Sequence, residues 1–257
     1  MLYHLDTIPI WNALEQQTGC PLCELYQVSE CAEVEHSLGG SLMEPDVRIK
    51  ANLLGICTRH HQQLSTQHNK LGHAILTDSH AKEVLKQLDT LISQAAEKRN
   101  HSCWKKPSPA MGARILKKLE DLTASCVICD GVETHMSRYI RTFIYLWEDD
   151  SSFRKRFSDS KGVCIPHAAR LLQQKHGLLS NDRTIEFTTT ILALVKTSLV
   201  RNEEELEWFT RKFDYRNSDK SWKNSKDALE RTINQLRGRC MDIEKPRKAV
   251  RNKDENS

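Results

Sequence analysis

No run of about 18 apolar residues occurs anywhere in the 257-residue chain. Its first residues, MLYHLDTIPIWNAL, have no basic stretch followed by an apolar core and a cleavage site. These absences leave no place for a transmembrane helix or an export signal, and the expectation is a cytoplasmic protein with no membrane attachment. Ser-His-Asp order, a phosphate-cradling glycine loop and a His-Glu-x-x-His helix are also missing, so no familiar catalytic motif is present and enzyme status stays open. Alternating period-2 runs are scarce, which argues against an extensive sheet. Charge of one sign is lacking too. A formal charge of +4 is too small to point to nucleic acid by itself.

What is present is an ordinary globular composition, 39% hydrophobic and 28% charged, in a chain long enough to bury a real core. Nine cysteines are the conspicuous excess. A secreted disulfide framework favours short chains, an even count and a signal peptide, so reduced thiols and metal binding are the better reading.

The cysteines recur in order. Cys20 and Cys23 are followed by Cys57 and His60; Cys126 and Cys129 are followed by Cys164 and His167. Neighbours match as well: Arg48 with Arg154, Gly55 with Gly162, and Leu64 with Leu171. The acid-to-base run Glu44, Arg48, Lys50 returns as Asp150, Arg154, Arg156. Two copies of one unit are therefore expected. The predicted organisation is a first helical repeat over 1–98, a linker over 99–113 (RNHSCWKKPSPAMGA), a second repeat over 114–200, and C-terminal helices with a mixed-charge tail over 201–257.

Helical periodicity dominates. In HAKEVLKQLDTLISQAAEK, Val84, Leu85, Leu88, Leu91 and Ile92 share one face. Similar stripes run through ILKKLEDL, HMSRYIRTFIYLW, residues 183–213 and KDALERTINQLRG. Only TIEFTTTILALV, rich in β-branched residues, raises a strand as a competitor, and its length and flanks favour a buried helix. The predicted class is all-α.

Tetrahedral zinc takes thiolate and imidazole ligands, and a Cys-x-x-Cys turn supplies two of them to one ion. The expected sites are Cys20, Cys23, Cys57 and His60 within the first copy, and Cys126, Cys129, Cys164 and His167 within the second. Each filled Cys3His shell leaves no position for water, which makes the expected zinc structural. His61 is a weaker alternative to His60, since Ala168 stands at the matching place. Arg59, Arg48 and Arg154 are candidates to balance the negative charge of the sites. An iron–sulfur cluster is a less favoured use of the same ligands. A thioredoxin-like pair would need a βαβ setting that the pattern lacks.

Several stretches resemble, along essentially the whole chain, a bacterial family of uncharacterised proteins classed as a domain of unknown function. They are YHLDTIPIWNA, CPLC, LGGSLMEPDVR, GICTRHH, NKLGHA, CVIC, SRYIRTFIYLWEDD, KGVCIPH and KFDYRNSDKSWKNSKDALERTI. The resemblance implies no established activity. Some relatives are labelled transporter substrate-binding proteins, a role that the missing export signal does not support here. Lys223 stands where the family has glycine, which puts a tight turn at that position in question.

Outside the cysteines, Asp214, Tyr215, Arg216 and Asn217 with Trp222 form a candidate ligand pocket, in which Arg216 would pair an anion and Asp214 would accept a proton. A capped turn with aromatic packing is the plainer account. Pairs such as His4 with Asp6, Glu44 with Asp46, and His73 with His80 are candidates for a second open site. Arg237, Arg239, Lys245, Arg247, Lys248 and Arg251 could touch nucleic acid, but acidic residues are interspersed among them. The leading expectation is a zinc-stabilised helical binding or adaptor protein for a protein or small-molecule partner. The alternatives are an enzyme with a pocket at Asp214, Tyr215 and Arg216, or a nucleic-acid binder. Cys31, Cys103 and Cys240 have no assigned role.

Overall fold

The computed structural model describes residues 4–100, 109–175 and 178–240. Eleven α-helices and no strand occur among them, as the periodicity predicts. None of these helices is long and apolar enough to cross a membrane.

Two compact units divide the chain, one made of residues 1–26 and 137–257, the other of residues 27–136. The cuts differ from the repeat limits read in the sequence, because two helices each begin in one unit and end in the other. These are α2 (Pro21–Leu38) and α7 (Val127–Asp149). The predicted linker falls largely outside the described residues, with Cys103 and Trp104, although α6 already begins at Pro109.

The discontinuous unit holds α1 (His4–Glu15), the start of α2, the end of α7, α8 (Ser151–Ser158), α9 (Ile165–Gln174), α10 (Asn181–Arg211) and α11 (Ala228–Arg237). All six phenylalanines of the sequence lie here. Phe143, Phe153 and Phe157 are fully buried and meet edge to face at 4.8 and 4.9 Å, with Trp147 reaching Phe157 and Phe187. Asp150 caps α8 by accepting from the backbone N–H of Ser152 and Phe153. The TIEFTTTILALV run is helical, within α10. Thr184, Thr188 and Thr189 each donate to the carbonyl four residues back, which satisfies their hydroxyls inside the helix.

The continuous unit holds the rest of α2, α3 (Pro45–Leu54), α4 (Thr58–Ser65), α5 (Lys70–Asn100), α6 (Pro109–Ala124) and the first turns of α7. Its 110 residues contain no phenylalanine or tyrosine and one tryptophan, Trp104. The core is aliphatic instead: Val34, Leu38, Leu42, Leu64, Leu76, Ile128, Val132 and Met136 are buried. A core of this kind buries less area per residue than one built on aromatics.

Candidate metal centre

Four helix N-termini carry the eight predicted donors. Cys57 and Cys164 are the N-caps of α4 and α9, and His60 and His167 are three residues further on, in the first turn. Cys20 and Cys126 immediately precede α2 and α7, with Cys23 and Cys129 in their first turns. An N-cap side chain and the one three residues later both point back over the start of a helix, as in a capping box. The three-residue spacing therefore delivers two donors to one point, where the positive end of the helix dipole favours thiolate. Gly55 and Gly162 lead into the two Cys-x-x-His turns with φ of 63° and 133°. A side chain at Gly55 would run into the His80 ring, and one at Gly162 into Ser198.

The donors converge as two quartets, but not the expected ones. Cys20 and Cys23 meet Cys164 and His167; Cys57 and His60 meet Cys126 and Cys129. Within each quartet all four ligand atoms lie within 4.8 Å of one another. Each Cys-x-x-Cys of one half is thus joined to the Cys-x-x-His of the other, which corrects the within-copy pairing. The repeat order suggests pairing within each copy but does not enforce it, because chain separation is a weak constraint: each doubling of a closed loop costs only about 0.6 kcal/mol. Separations of 144 residues (Cys23 to His167) and 66 residues (His60 to Cys126) are well within what a metal shell can close. Each quartet also lies wholly inside one compact unit.

The quartets fit a single tetrahedral ion. Around zinc, with bonds of about 2.3 Å to sulfur and 2.0 Å to nitrogen, the tetrahedron's edges are about 3.8 Å for S···S and 3.5 Å for S···N. In the first quartet His167 Nδ1 lies 3.6, 3.4 and 3.2 Å from the sulfurs of Cys20, Cys23 and Cys164, and Cys23 Sγ lies 3.6 Å from Cys164 Sγ. In the second, His60 Nδ1 lies 3.3, 3.3 and 3.4 Å from Cys57, Cys126 and Cys129, and the Cys57 and Cys129 sulfurs are 3.9 Å apart. Nδ1 is the inward nitrogen in both histidines.

Surroundings differ between the two. All four donors of the first quartet are buried. Burial pushes the Cys20 thiol up and drops His167 to about 4, so its ring is neutral with a lone pair to offer. The C-terminal residues cover this site: the Arg239 backbone N–H reaches the Cys23 sulfur, and the Arg239 side chain pairs with Glu24 at 2.9 Å. Gln235 of α11 donates to the Val163 carbonyl, beside Cys164.

In the second quartet His60 and Cys126 are buried, Cys57 is half-buried and Cys129 is exposed. His60 Nε2 donates to Glu30 at 3.1 Å, and Glu30 also accepts from Arg59 and Gln63. Burial opposes the charge on both His60 and Cys126. Their mutual contact, with Glu30 on the histidine, outweighs it, lifting His60 to about 10 and lowering the Cys126 thiol to about 6. Arg59 thus acts through Glu30, whereas Arg48 donates to Ser79, and Arg154 to the carbonyls of Trp147 and Glu148. His61 is not among the converging donors. Its Nδ1 faces His73 Nε2 at 2.8 Å, and His80 Nδ1 donates to the Asn52 carbonyl.

The 214–222 cluster takes the form of a braced turn. Asp214 accepts from the Arg216 backbone and pairs with its guanidinium, both at the surface, and Tyr215 is 83% exposed. Trp222 packs on Phe209 and Phe213. The organising residue is one that sequence reasoning passed over, Lys212. It is 7% exposed and donates to the carbonyls of Asn217, Ser218 and Lys220 at 2.6 to 2.8 Å, with Trp222 beneath its ammonium. A groove of about 320 Å³ nearby has a different lining, including Glu204, Trp208, Arg211, Lys223 and Ser225. Of the basic C-terminal residues, Arg239 is engaged with Glu24, while Lys245, Arg247, Lys248 and Arg251 lie outside the described residues.

The molecule is thus an all-helical protein with two Cys3His clusters able to hold metal ions. A family model described as a family of unknown function (DUF6062) matches residues 1–243, and the chain belongs to that family. No curated protein and no solved structure matches.

Proposed function

We propose that this protein is a zinc-stabilised helical adaptor, in which two structural zinc ions fix four helix N-termini so that the remaining helical surface can engage a partner. The observation that carries the reading is the edge-length match of both quartets to one tetrahedral ion, with all four corners supplied by protein. Single-ion spacing also argues for zinc over iron–sulfur, because cluster ligands spread over several irons. Thiols that must stay reduced support a cytoplasmic location. Exposed Leu85 and Ile92, seven residues apart on α5, and Leu116 and Leu119 on α6, support a protein partner over a small substrate.

The order of elements supports a duplicated chain. A Cys-x-x-Cys helix, two short helices and a 31-residue helix occur as α2 to α5 and again as α7 to α10, with the metal pairs exchanged between the copies. Elemental analysis of untagged protein purified without added metal tests the proposal. Two zinc per chain and no iron are expected; stoichiometric iron or no metal overturns it.

A further inference from the structure

The two quartets offer the same ligands and differ in cover. Around Cys20, Cys23, Cys164 and His167 every donor is buried, and Arg239, just after α11, lies against the Cys23 sulfur. Around Cys57, His60, Cys126 and Cys129 one edge is open: Cys129 is exposed, Cys57 is half-buried, and their sulfurs lie 3.9 Å apart. This is the one pair of quartet thiols, among the described residues, that is both mutually close and reachable from solvent.

We propose that the Cys57–Cys129 edge is an oxidation site at which hydrogen peroxide converts a metal-holding pair of thiolates into a disulfide. The proposal rests on the zinc reading. The Cys129 sulfur attacks one peroxide oxygen; the O–O bond breaks, Cys129 becomes a sulfenic acid and hydroxide leaves, taking a proton to give water. The Cys57 thiolate then attacks the Cys129 sulfur. The S–S bond forms, the S–O bond breaks, and the second hydroxide leaves as water after protonation. Two thiolates have lost two electrons, and one peroxide and two protons have become two waters. Cys126 and His60 alone do not complete a zinc shell, so the ion leaves as a divalent cation. The two sulfurs close from 3.9 Å to bonding distance as the S–S bond forms, and the loss of the ion follows. The first quartet has no such edge and keeps its ion.

The continuous unit, whose aliphatic core leans on that ion, is the part the reaction would loosen. Oxidation is thereby coupled to the folded state of residues 27–136 and of the α5 and α6 surface within them.

The test uses full-length, metal-loaded protein with Cys31, Cys103 and Cys240 changed to serine, so that only quartet thiols remain. Metal content is measured first. Limiting hydrogen peroxide is then added, release is followed with a chromogenic chelator, and cysteines are mapped by alkylation and mass spectrometry. One equivalent is expected to leave at least ten-fold faster than the second, with Cys57 linked to Cys129 and Cys20, Cys23 and Cys164 still reduced. Two bound ions leaving at equal rates, or a first disulfide that omits Cys129, overturns this proposal and leaves the zinc reading intact. Starting protein without metal overturns both.

Discussion

Glu30 accepts a hydrogen bond from Nε2 of His60 at 3.1 Å, while the opposite nitrogen of the same ring faces three sulfurs. The carboxylate fixes which nitrogen carries the proton and makes Nδ1 the better donor, the arrangement seen around many metal-ligating histidines. Changing Glu30 to Ala is expected to weaken metal binding at the Cys57 quartet by roughly 10- to 100-fold. The Cys20 quartet should be unaffected. Competition against a chelator of known affinity measures both sites on one sample.

The exchanged pairing makes a sharper demand. In a Cys164→Ser variant, Cys20 and Cys23 should become reactive to alkylation while Cys126 and Cys129 stay protected, because Cys164 belongs with the former. Pairing within each half would give the reverse pattern. Mass spectrometry of the alkylated native protein separates the two outcomes.

Which residues would converge was legible in the sequence, and which of them converge together was not. The four short pairs stood out because an N-cap donor and one three residues later must share a helix start. Nothing local says which other helix start they meet, and loop length is a poor guide when doubling it costs only about 0.6 kcal/mol. Glu30 escaped notice because it is an ordinary mid-helix glutamate of α2, 30 residues from the ring it holds. Lys212 escaped for a related reason: a lysine at a helix C-terminus reads as a solvated partner for the dipole, and only the fold shows it buried under the 213–222 turn.

Lys212 supplies a stability prediction. Its ammonium satisfies three carbonyls within a nearly closed space. Lys212→Met keeps the aliphatic stem and removes the donor, leaving those carbonyls without it, and is expected to cost about 3 kcal/mol. Thermal unfolding of the metal-loaded protein checks this. A loss under about 0.5 kcal/mol, the range of neutral surface changes, would mean that the turn holds itself together.

Asp150 gives a pH dependence. The Ser152 hydroxyl and the backbone N–H groups of Phe153 and Ser152 hold its carboxyl below the usual range. A depressed folded pKa means the stabilisation is complete above the unfolded value of about 4 and fades as pH falls through the lower folded value. Asp150→Ala should cost about 1 kcal/mol at pH 7. The gap between variant and parent should narrow below about pH 4, as read from denaturant midpoints at matched pH. A gap independent of pH would mean that the ionised carboxylate is not what caps α8.

Lys223 lies at φ 51°, in the left-handed region that glycine enters at little cost, so the turn at this position is made here by lysine. Its ammonium lies 5.0 Å from the Trp208 ring centroid, so replacing it alters two things at once. Comparing Lys223→Gly with Lys223→Ala removes the stacking from both and isolates the backbone. Left-handed geometry costs an L-residue about 1 kcal/mol or more, and glycine escapes most of it. The glycine variant should therefore be the more stable of the two by about 1 kcal/mol, less the part that glycine's freer unfolded chain takes back.

Metal removal should not affect the two units alike. The discontinuous unit has the interlocked rings of Phe143, Trp147, Phe153, Phe157 and Phe187 to hold it without metal. Among its described residues, the buried hydrophobic side chains of the continuous unit are aliphatic or sulfur-bearing, and its quartet joins the start of α4 to the start of α7. A structural zinc site contributes on the order of 10 kcal/mol to folding, about the whole stability of a typical domain. Chelation should then abolish hydrogen-exchange protection across α3, α4 and the first turns of α7, while the α7 residues around Phe143 retain a substantial part of theirs. Equal loss in both units would mean that the aromatic cluster cannot stand without its metal, and that the chain folds as one cooperative body around two ions.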